Sequence, residues 1–223
     1  MSMIRLHQWH SSSTSFRVRI ALGLKRLTFE RINVTLKWEN ADHDTKEYGE
    51  LNPQRNIPVL EDHGVRIMQS LAIIDYLDLT YPEPPLYPKD AAGRARVLSI
   101  ALHVTCEIQP MNNLRVQRYL VNNLKIDADA NRAWQQHWIG VGFDAIEQQL
   151  QSASTGAYCH GDTPTVADCC LVPQVYNALR PAVGADISRW PTIQRIYNTC
   201  LENPIIHAAL PTSQPDFESP SGH

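Results

Sequence analysis

The sequence lacks the features that mark membrane, secreted and nucleic-acid-binding proteins. It has no apolar run of the roughly 18 residues that a membrane-spanning helix requires. Its start, MSMIRLHQWH, contains no apolar core of a signal peptide. The formal net charge of −3 gives no basic excess for binding nucleic acid or an anionic membrane surface. We therefore expect a cytoplasmic globular protein that binds neither a membrane nor nucleic acid.

The five cysteines are too few and too irregularly spaced for a disulfide scaffold. Cys169 and Cys170 are adjacent, Cys159 precedes His160, and no C-x-x-C pair occurs. The nine histidines form no H-E-x-x-H pattern either. We expect the cysteines to be reduced and buried, and we expect no bound metal.

What is present in the first 85 or so residues is an alternation of strand and helix patterns. The order is strand, helix, strand, a connecting segment, then two strands around a His-Gly turn and a helix. This is the order of a thioredoxin-like domain. The predicted strands are 4–9, 29–34, 59–62 and 65–68, and the predicted helices are 15–25 and 70–81.

The stretch PEPPLYPKD (82–90) carries four prolines and is typical of a linker. Beyond it the apolar spacing is helical throughout. The predicted fold is therefore α/β plus all-α: a thioredoxin-like domain (1–85), a linker (86–91) and an all-helical domain (92–223). The predicted helices of the second domain are 91–122, 131–152, 165–180, 191–202 and 204–210.

The stretch SSSTSFRVRIAL (11–22) places a cluster of hydroxyl residues directly before a helix. A helix N-terminus presents unpaired N–H groups and a partial positive charge, which together stabilise a thiolate. Because no cysteine lies here, the thiolate would arrive on a ligand, and Ser12, Ser13 and Thr14 could each donate to its sulfur. Ordinary capping of the helix in a polar loop explains the same residues and stays open.

Two further stretches are typical of peptide and carboxylate binding. In LNPQRNIPVLED (51–62), a cis Ile57–Pro58 bond would expose the backbone of Ile57 to an extended peptide, although a strand-edge proline is the alternative. In MQSLAII (68–74), Gln69 and Ser70 at a helix start could bind a carboxylate, or Ser70 could simply cap the helix. Together the three stretches fit one ligand, a small peptide with a thiol and a free carboxylate.

These motifs, taken together, resemble the zeta class of glutathione transferases, which includes maleylacetoacetate and maleylpyruvate isomerases. That class has the signature S-S-C-[SA]-x-R-V-R-I-A-L, which residues 12–22 match with threonine in place of cysteine. The resemblance covers essentially the whole chain, and it implies the glutathione transferase fold and a homodimer. It continues in order through LNPQRNIPVL, QSLAIIDYL, EIQPMNNLRV, GFDAIEQQL, GDTPTVADCCLVPQVYNALR and WPTI.

The resemblance also assigns roles to individual residues. Ser12 matches the serine that activates the glutathione thiolate, with Ser13 and Thr14 lining the same pocket. Ile57, before a cis Pro58, would pair its backbone with the cysteinyl unit of glutathione. The remaining residues implied to contact glutathione are Gln69 and Ser70 at the γ-glutamyl end, His43 at the glycyl end, and Gln109, Asn113 and Arg115 from the helical domain.

Arg180 is the first candidate for binding the carboxylates of a doubly anionic substrate. The alternative is that it only complements the C-terminus of its helix. Arg17 and Arg19 could contact a ligand, or lie solvated or salt-bridged around the first helix. Thr165 and Asp168 form a T-x-x-D capping box, which we interpret as structural.

Two positions depart from the pattern of the class. Thr14 replaces a cysteine, which removes a second thiol but keeps a hydrogen-bond donor. Ser11, preceded by His10, replaces an arginine that many members have before the serine pair, so one fixed charge beside the site is missing. Protonated His10 would compensate in part.

The activity implied by the resemblance is glutathione-dependent cis–trans isomerisation of a maleyl-type keto acid. A thiolate adds to the carbon–carbon double bond, the resulting single bond rotates, and elimination restores the double bond as trans. One alternative is a general glutathione transferase or an α-haloacid dehalogenase, which the missing arginine favours. Another is a non-catalytic glutathione-transferase-like binding protein.

Overall fold

Four strands form a mixed sheet in the computed structural model, which describes residues 3–38 and 41–217. The strands lie in the order β2-β1-β3-β4, with β1 parallel to β2 and β3 antiparallel to both of its neighbours. This is the predicted thioredoxin-like sheet. The strands are β1 (Ile4–Gln8), β2 (Phe29–Asn33), β3 (Val59–Asp62) and β4 (Val65–Met68).

Two helices that pack against each other complete the hydrophobic core of this sheet. Helix α1 (Ser13–Leu24) follows β1, and helix α3 (Ser70–Thr80) follows β4, both close to their predicted bounds. The short helix α2 (Lys46–Leu51) lies in the connecting segment, where the sequence predicted no element. The core residues from these strands and helices are Ile4, Leu6, Val18, Leu22, Leu60, Ile73 and Leu77.

The chain after the proline-rich stretch is helical, as predicted, but its first helix is shorter than expected. Helix α4 ends at Leu102, and a π-helical turn and a 3-10 turn follow before α5 begins. The prediction of one helix over 91–122 is therefore wrong. The first residue with an extended backbone is Asn113, three residues after Pro110, whose ring lacks the N–H that a continuous helix would use. The helices are α4 (Ala91–Leu102), α5 (Leu114–Asn122), α6 (Ala128–Gln149), α7 (Val166–Leu179), α8 (Pro191–Glu202) and α9 (Pro204–Ala208).

Contacts divide the chain into two units, Met1–Pro85 with Asn203–His223, and Leu86–Glu202. Helix α9 belongs to the first unit because it packs on α1, where the guanidinium of Arg19 donates to the carbonyl of Ala209 at 3.1 Å. The predicted division into the domains 1–85 and 92–223 stays a prediction.

The remaining structural expectations concern cysteines and membrane spans. All five cysteines are free, and four are buried, but Cys106 is exposed, which corrects the expectation that all are buried. Within residues 3–38 and 41–217, no helix is long and apolar enough to span a membrane. Gly142 of α6 lies against Ile108 so closely that a Cβ would collide with that side chain.

Candidate functional site

The hydroxyl cluster lies at the N-terminus of α1, where Ser12 is the N-cap residue. Its side-chain oxygen accepts the N–H of Ser15 at 3.2 Å, and the side chain is buried. The first turn of α1 contains no acidic residue, so no carboxylate offsets the positive end of the helix dipole there. Ser12 therefore caps the helix, which confirms the capping interpretation, and its role toward a thiolate stays a prediction.

Thr14 connects this helix start to the segment before β3. Its hydroxyl donates to the carbonyl of Ile57 at 2.9 Å, and its oxygen lies 2.8 Å from the hydroxyl of Ser12. The structure thus brings Ile57 to Ser12 and Thr14, although Ile57 follows Thr14 by 43 positions in the sequence. The Ile57–Pro58 bond is cis, which confirms that expectation.

The backbone carbonyl and the backbone N–H of Ile57 differ in their hydrogen bonding. Its carbonyl accepts from Thr14, whereas no hydrogen bond to its N–H is found within residues 3–38 and 41–217. Ile57 as a whole is only 7% exposed, and within the described part of the chain its N–H has no protein acceptor. An extended peptide backbone placed alongside would satisfy this donor, which fits the cysteinyl unit of glutathione.

The N-terminus of α3 has no side-chain cap. Its N-cap residue, Gln69, has φ of +70° and ψ of 120°, a strained backbone for a residue other than glycine. The side chain of Gln69 does not cap the helix but donates to the side-chain oxygen of Gln54 at 2.6 Å. Since the first turn also lacks acidic residues, the N-terminus of α3 offers unpaired N–H groups to a carboxylate.

Arg17 is a component of this site that the sequence did not assign. The side chain is 1% exposed, and its guanidinium donates to the hydroxyl of Ser70 at 2.8 Å. Of the alternatives left open for Arg17, a solvated position is wrong, because the side chain is buried and bonded to Ser70 of α3. Arg17 therefore adds a buried positive charge behind the first residue of α3. An arginine in the middle of an apolar helical run was the available signal.

Arg19 is buried as well, but its contacts are structural. Its guanidinium donates to the side chain of Gln8 at 2.6 Å and to the carbonyl of His10 at 2.9 Å. Together with its bond to Ala209, these contacts connect β1, the loop before Ser12 and α9. Arg19 thereby stabilises the loop that leads to the hydroxyl cluster.

His43 lies in the 3-10 turn Asp42–Asp44 and is buried. Its ring nitrogens lie 3.4 Å from the carbonyl of Thr35 and 3.4 Å from the carboxylate of Asp44. Neither contact links it to the hydroxyl cluster or to the start of α3. Its contact with the glycyl end of glutathione stays a prediction.

The other predicted site residues belong to the second unit. Gln109 ends the π-helical turn, and Asn113 caps α5 by accepting the N–H of Arg115 at 3.0 Å. Arg180 follows α7, is exposed, and lies 3.4 Å from the side-chain oxygen of Asn177. Asn113 therefore has a capping function that the sequence did not predict.

Arg180 also lines a cavity of about 260 Å³ inside the second unit. A second arginine, Arg132 of α6, lines the same cavity, and most of the other polar lining groups are amides. Two guanidinium groups and several amides form a polar, cationic pocket suited to carboxylates. The polar residues that line it are Gln117, Asn131, Arg132, Gln135, Asn177 and Arg180.

The chain is similar to known proteins in both sequence and fold. The family model of the glutathione S-transferase N-terminal domain matches residues 11–80. A probable maleylacetoacetate isomerase of Vibrio cholerae is 43% identical over 216 residues, which are 97% of this chain and 99% of that protein. The holo structure of a maleylpyruvate isomerase, a bacterial zeta-class glutathione S-transferase, is 41% identical with a TM-score of 0.92, over 96% of this chain and 100% of that one.

A third similar protein is maleylacetoacetate isomerase from Anaeromyxobacter dehalogenans, whose structure contains glutathione in the active site. It is 37% identical with a TM-score of 0.82, over 96% of this chain and 97% of that one. Because the identity extends over nearly the whole of each chain and the folds superpose closely, the chain belongs to the zeta class of the glutathione S-transferase family.

Proposed function

We propose that this protein is a glutathione-dependent cis–trans isomerase of maleyl-type keto acids, either maleylacetoacetate or maleylpyruvate. The observation that carries the proposal is the hydrogen-bonded group of Ser12, Thr14 and Ile57 at the positive end of α1. The identity to isomerases with these substrates supports the same conclusion.

Glutathione, when bound, supplies the sulfur nucleophile that adds reversibly to the double bond of the substrate. The Ser12 hydroxyl and the positive end of α1 stabilise that sulfur as a thiolate near neutral pH. The Ile57 backbone next to cis Pro58 orients the tripeptide. Ser70 and the open start of α3 bind its γ-glutamyl carboxylate, with Gln69 beside them.

Further contacts to glutathione are proposed for Ser13 beside the sulfur and for His43 at the glycyl end. From the second unit, Gln109 and Asn113 lie on one short segment with Arg115. We propose that this segment contributes polar groups to the bound ligand. Its amide and guanidinium side chains are suited to the carbonyl and carboxylate oxygens of a peptide.

The carboxylates of the substrate are bound in our proposal by Arg180, with Arg115 as a second cation. The cavity shared by Arg180 and Arg132 supports an anionic substrate, since two guanidinium groups lie around one space of about 260 Å³. These cations also stabilise the negative charge that forms on the substrate carbonyl during addition.

A second candidate activity is favoured by Ser11, which leaves no fixed positive charge directly before Ser12. With that charge missing, the same sulfur could react with other small electrophiles, such as α-haloacids. The activity would then be that of a general glutathione transferase or dehalogenase.

We further propose that the protein works as a homodimer in the cytoplasm. The family supports the dimer, and five free cysteines are in keeping with a reducing compartment.

The deciding experiment follows maleylpyruvate and maleylacetone spectrophotometrically, with and without glutathione, beside a parallel reaction with dichloroacetate. Isomerisation that requires glutathione but does not consume it is the expected result. Dehalogenation or conjugation without isomerisation would support the second candidate. Absence of every reaction, with glutathione still bound, would indicate a binding protein.

A further inference from the structure

The hydroxyl protons of the thiol site can be counted from its hydrogen bonds. A carbonyl oxygen only accepts, so the contact of 2.9 Å between Thr14 and Ile57 uses the single proton of the Thr14 hydroxyl. The contact of 2.8 Å between Thr14 and Ser12 then needs the proton of Ser12. Ser12 therefore donates to Thr14 while its oxygen accepts the N–H of Ser15.

The hydroxyls of Ser12 and Thr14 therefore have different roles. The proton of Thr14 is directed at Ile57, so Thr14 is not a donor to a sulfur ligand in this arrangement. The proton of Ser12 is directed at Thr14 and must turn away before it reaches a thiolate. In this arrangement the Ser12 hydroxyl is the donor, and the Thr14 oxygen is an acceptor that would compete with a thiolate for the Ser12 proton.

We propose that Thr14 is a positioning residue that competes with the glutathione sulfur for the Ser12 proton. The inference rests on the proposed function, because it assumes that glutathione binds with its sulfur at Ser12. When the bound thiol ionises, its proton leaves to water, and the Ser12 O–H turns from the Thr14 oxygen to the thiolate. No covalent bond forms other than that between the released proton and water.

When the Ser12 hydroxyl rotates to the thiolate, its hydrogen bond to Thr14 is broken. The free-energy cost of breaking this bond opposes ionisation of the thiol. A neutral hydrogen bond of this kind corresponds to a pKa change of up to about one unit. Thr14 therefore keeps the pKa of bound glutathione higher than the helix terminus and Ser12 alone would set it. A cysteine at this position, as in the class signature, is a weaker acceptor and would compete less.

Thr14 has a second, opposite effect on glutathione through Ile57. Its bond to the Ile57 carbonyl fixes the segment whose open N–H we assign to the cysteinyl unit of glutathione. Removing the hydroxyl should therefore weaken glutathione binding while making the bound thiol more acidic. A residue with only a packing role would not produce this pair of opposite changes.

The test measures the ultraviolet absorbance of enzyme-bound thiolate against pH, together with glutathione affinity by calorimetry. Thr14→Val keeps the shape and removes the hydroxyl, Thr14→Ala removes it with less bulk, and Thr14→Ser keeps the hydroxyl. We expect both hydroxyl-free variants to lower the bound thiol pKa by up to about one unit. We expect their glutathione affinity to fall about threefold to tenfold, with Thr14→Ser close to the wild type.

An unchanged or raised thiol pKa in Thr14→Val and Thr14→Ala would overturn the inference. A raised pKa would mean that Thr14 donates directly to the sulfur. Ser12→Ala, measured alongside, separates this result from failure of the proposed function. If wild-type protein binds no glutathione thiolate, or if Ser12→Ala leaves the thiol pKa unchanged, the thiol site itself is assigned wrongly.

Discussion

At the start of α7 the protein's own groups accept the backbone N–H groups, whereas at the start of α3 no acceptor for them is found among residues 3–38 and 41–217. Asp168 accepts the N–H of Thr165 at 2.8 Å and the N–H of Cys159 at 2.9 Å. Thr165 in turn completes the predicted capping box. At α3, by contrast, Gln69 provides no side-chain cap and the first turn contains no acidic residue.

The two helix termini differ in which groups satisfy their backbone N–H groups. Asp168 is fully buried, and this burial raises the pKa of its carboxyl in spite of the donors around it. A protein tolerates such a group only where it satisfies buried backbone, so the start of α7 is structural. The start of α3 has no such cap, and we propose that its N–H groups bind an external carboxylate. The start of α1 lies between these cases, since Ser12 caps the helix and can also donate to a ligand.

The largest effect is expected when the carboxylate of Asp168 is removed from the start of α7. Asp168→Ala leaves two buried N–H groups without their acceptor and should lower the free energy of unfolding by about 2–4 kcal/mol. Asp168→Asn keeps one acceptor oxygen and should lose less. Urea unfolding checks both variants, and a loss below about 1 kcal/mol in Asp168→Ala would contradict the structural role.

At the start of α1 the change should affect activity more than stability. Ser12→Ala removes the donor to the thiolate and should reduce kcat/KM about 10- to 100-fold. Loss of the cap should lower the free energy of unfolding by about 1 kcal/mol. Steady-state kinetics and urea unfolding on the same preparation measure the two effects. Full retention of kcat/KM would show that Ser12 only caps.

The open terminus of α3 should affect glutathione affinity alone. Ser70→Ala should raise the KM for glutathione about tenfold with kcat unchanged, because a charge-assisted hydrogen bond to the ligand is lost. If Arg17 acts through Ser70, Arg17→Gln should raise KM in the wild type but add little to Ser70→Ala. Additive effects in this double-mutant cycle would mean that Arg17 acts independently.

The smallest effect concerns the strained residue before α3. Gln69→Gly should raise the free energy of unfolding by about 1 kcal/mol, because glycine adopts a positive φ without a side-chain clash. The same variant should bind glutathione more weakly, since the side chain is lost. Gln69→Ala is the matched control, because it removes the side chain and keeps the strain. Equal stability of the two variants would show that the backbone here is not strained.

Much of this molecule could be predicted because its signals are local. The period-two strands, the capping box at Thr165 and the Ile57–Pro58 motif are each visible within a few residues, and the structure has them where expected. The break of the first long helix was missed, although Pro110 was its signal. The helix α2 was missed because its segment has too short an apolar pattern.

The sequence by itself determined the order of the four strands along the chain and the hydroxyls before α1, since residue spacing acts along the chain, and its motifs carried the resemblance to the zeta class. Only the tertiary structure decided that Arg17 lies against Ser70 and that the Thr14 proton goes to Ile57. These contacts join residues separated by 53 and 43 positions. Their direction depends on which donors and acceptors the packing of α1, α3 and the segment before β3 brings within hydrogen-bond distance, and local pattern does not encode this.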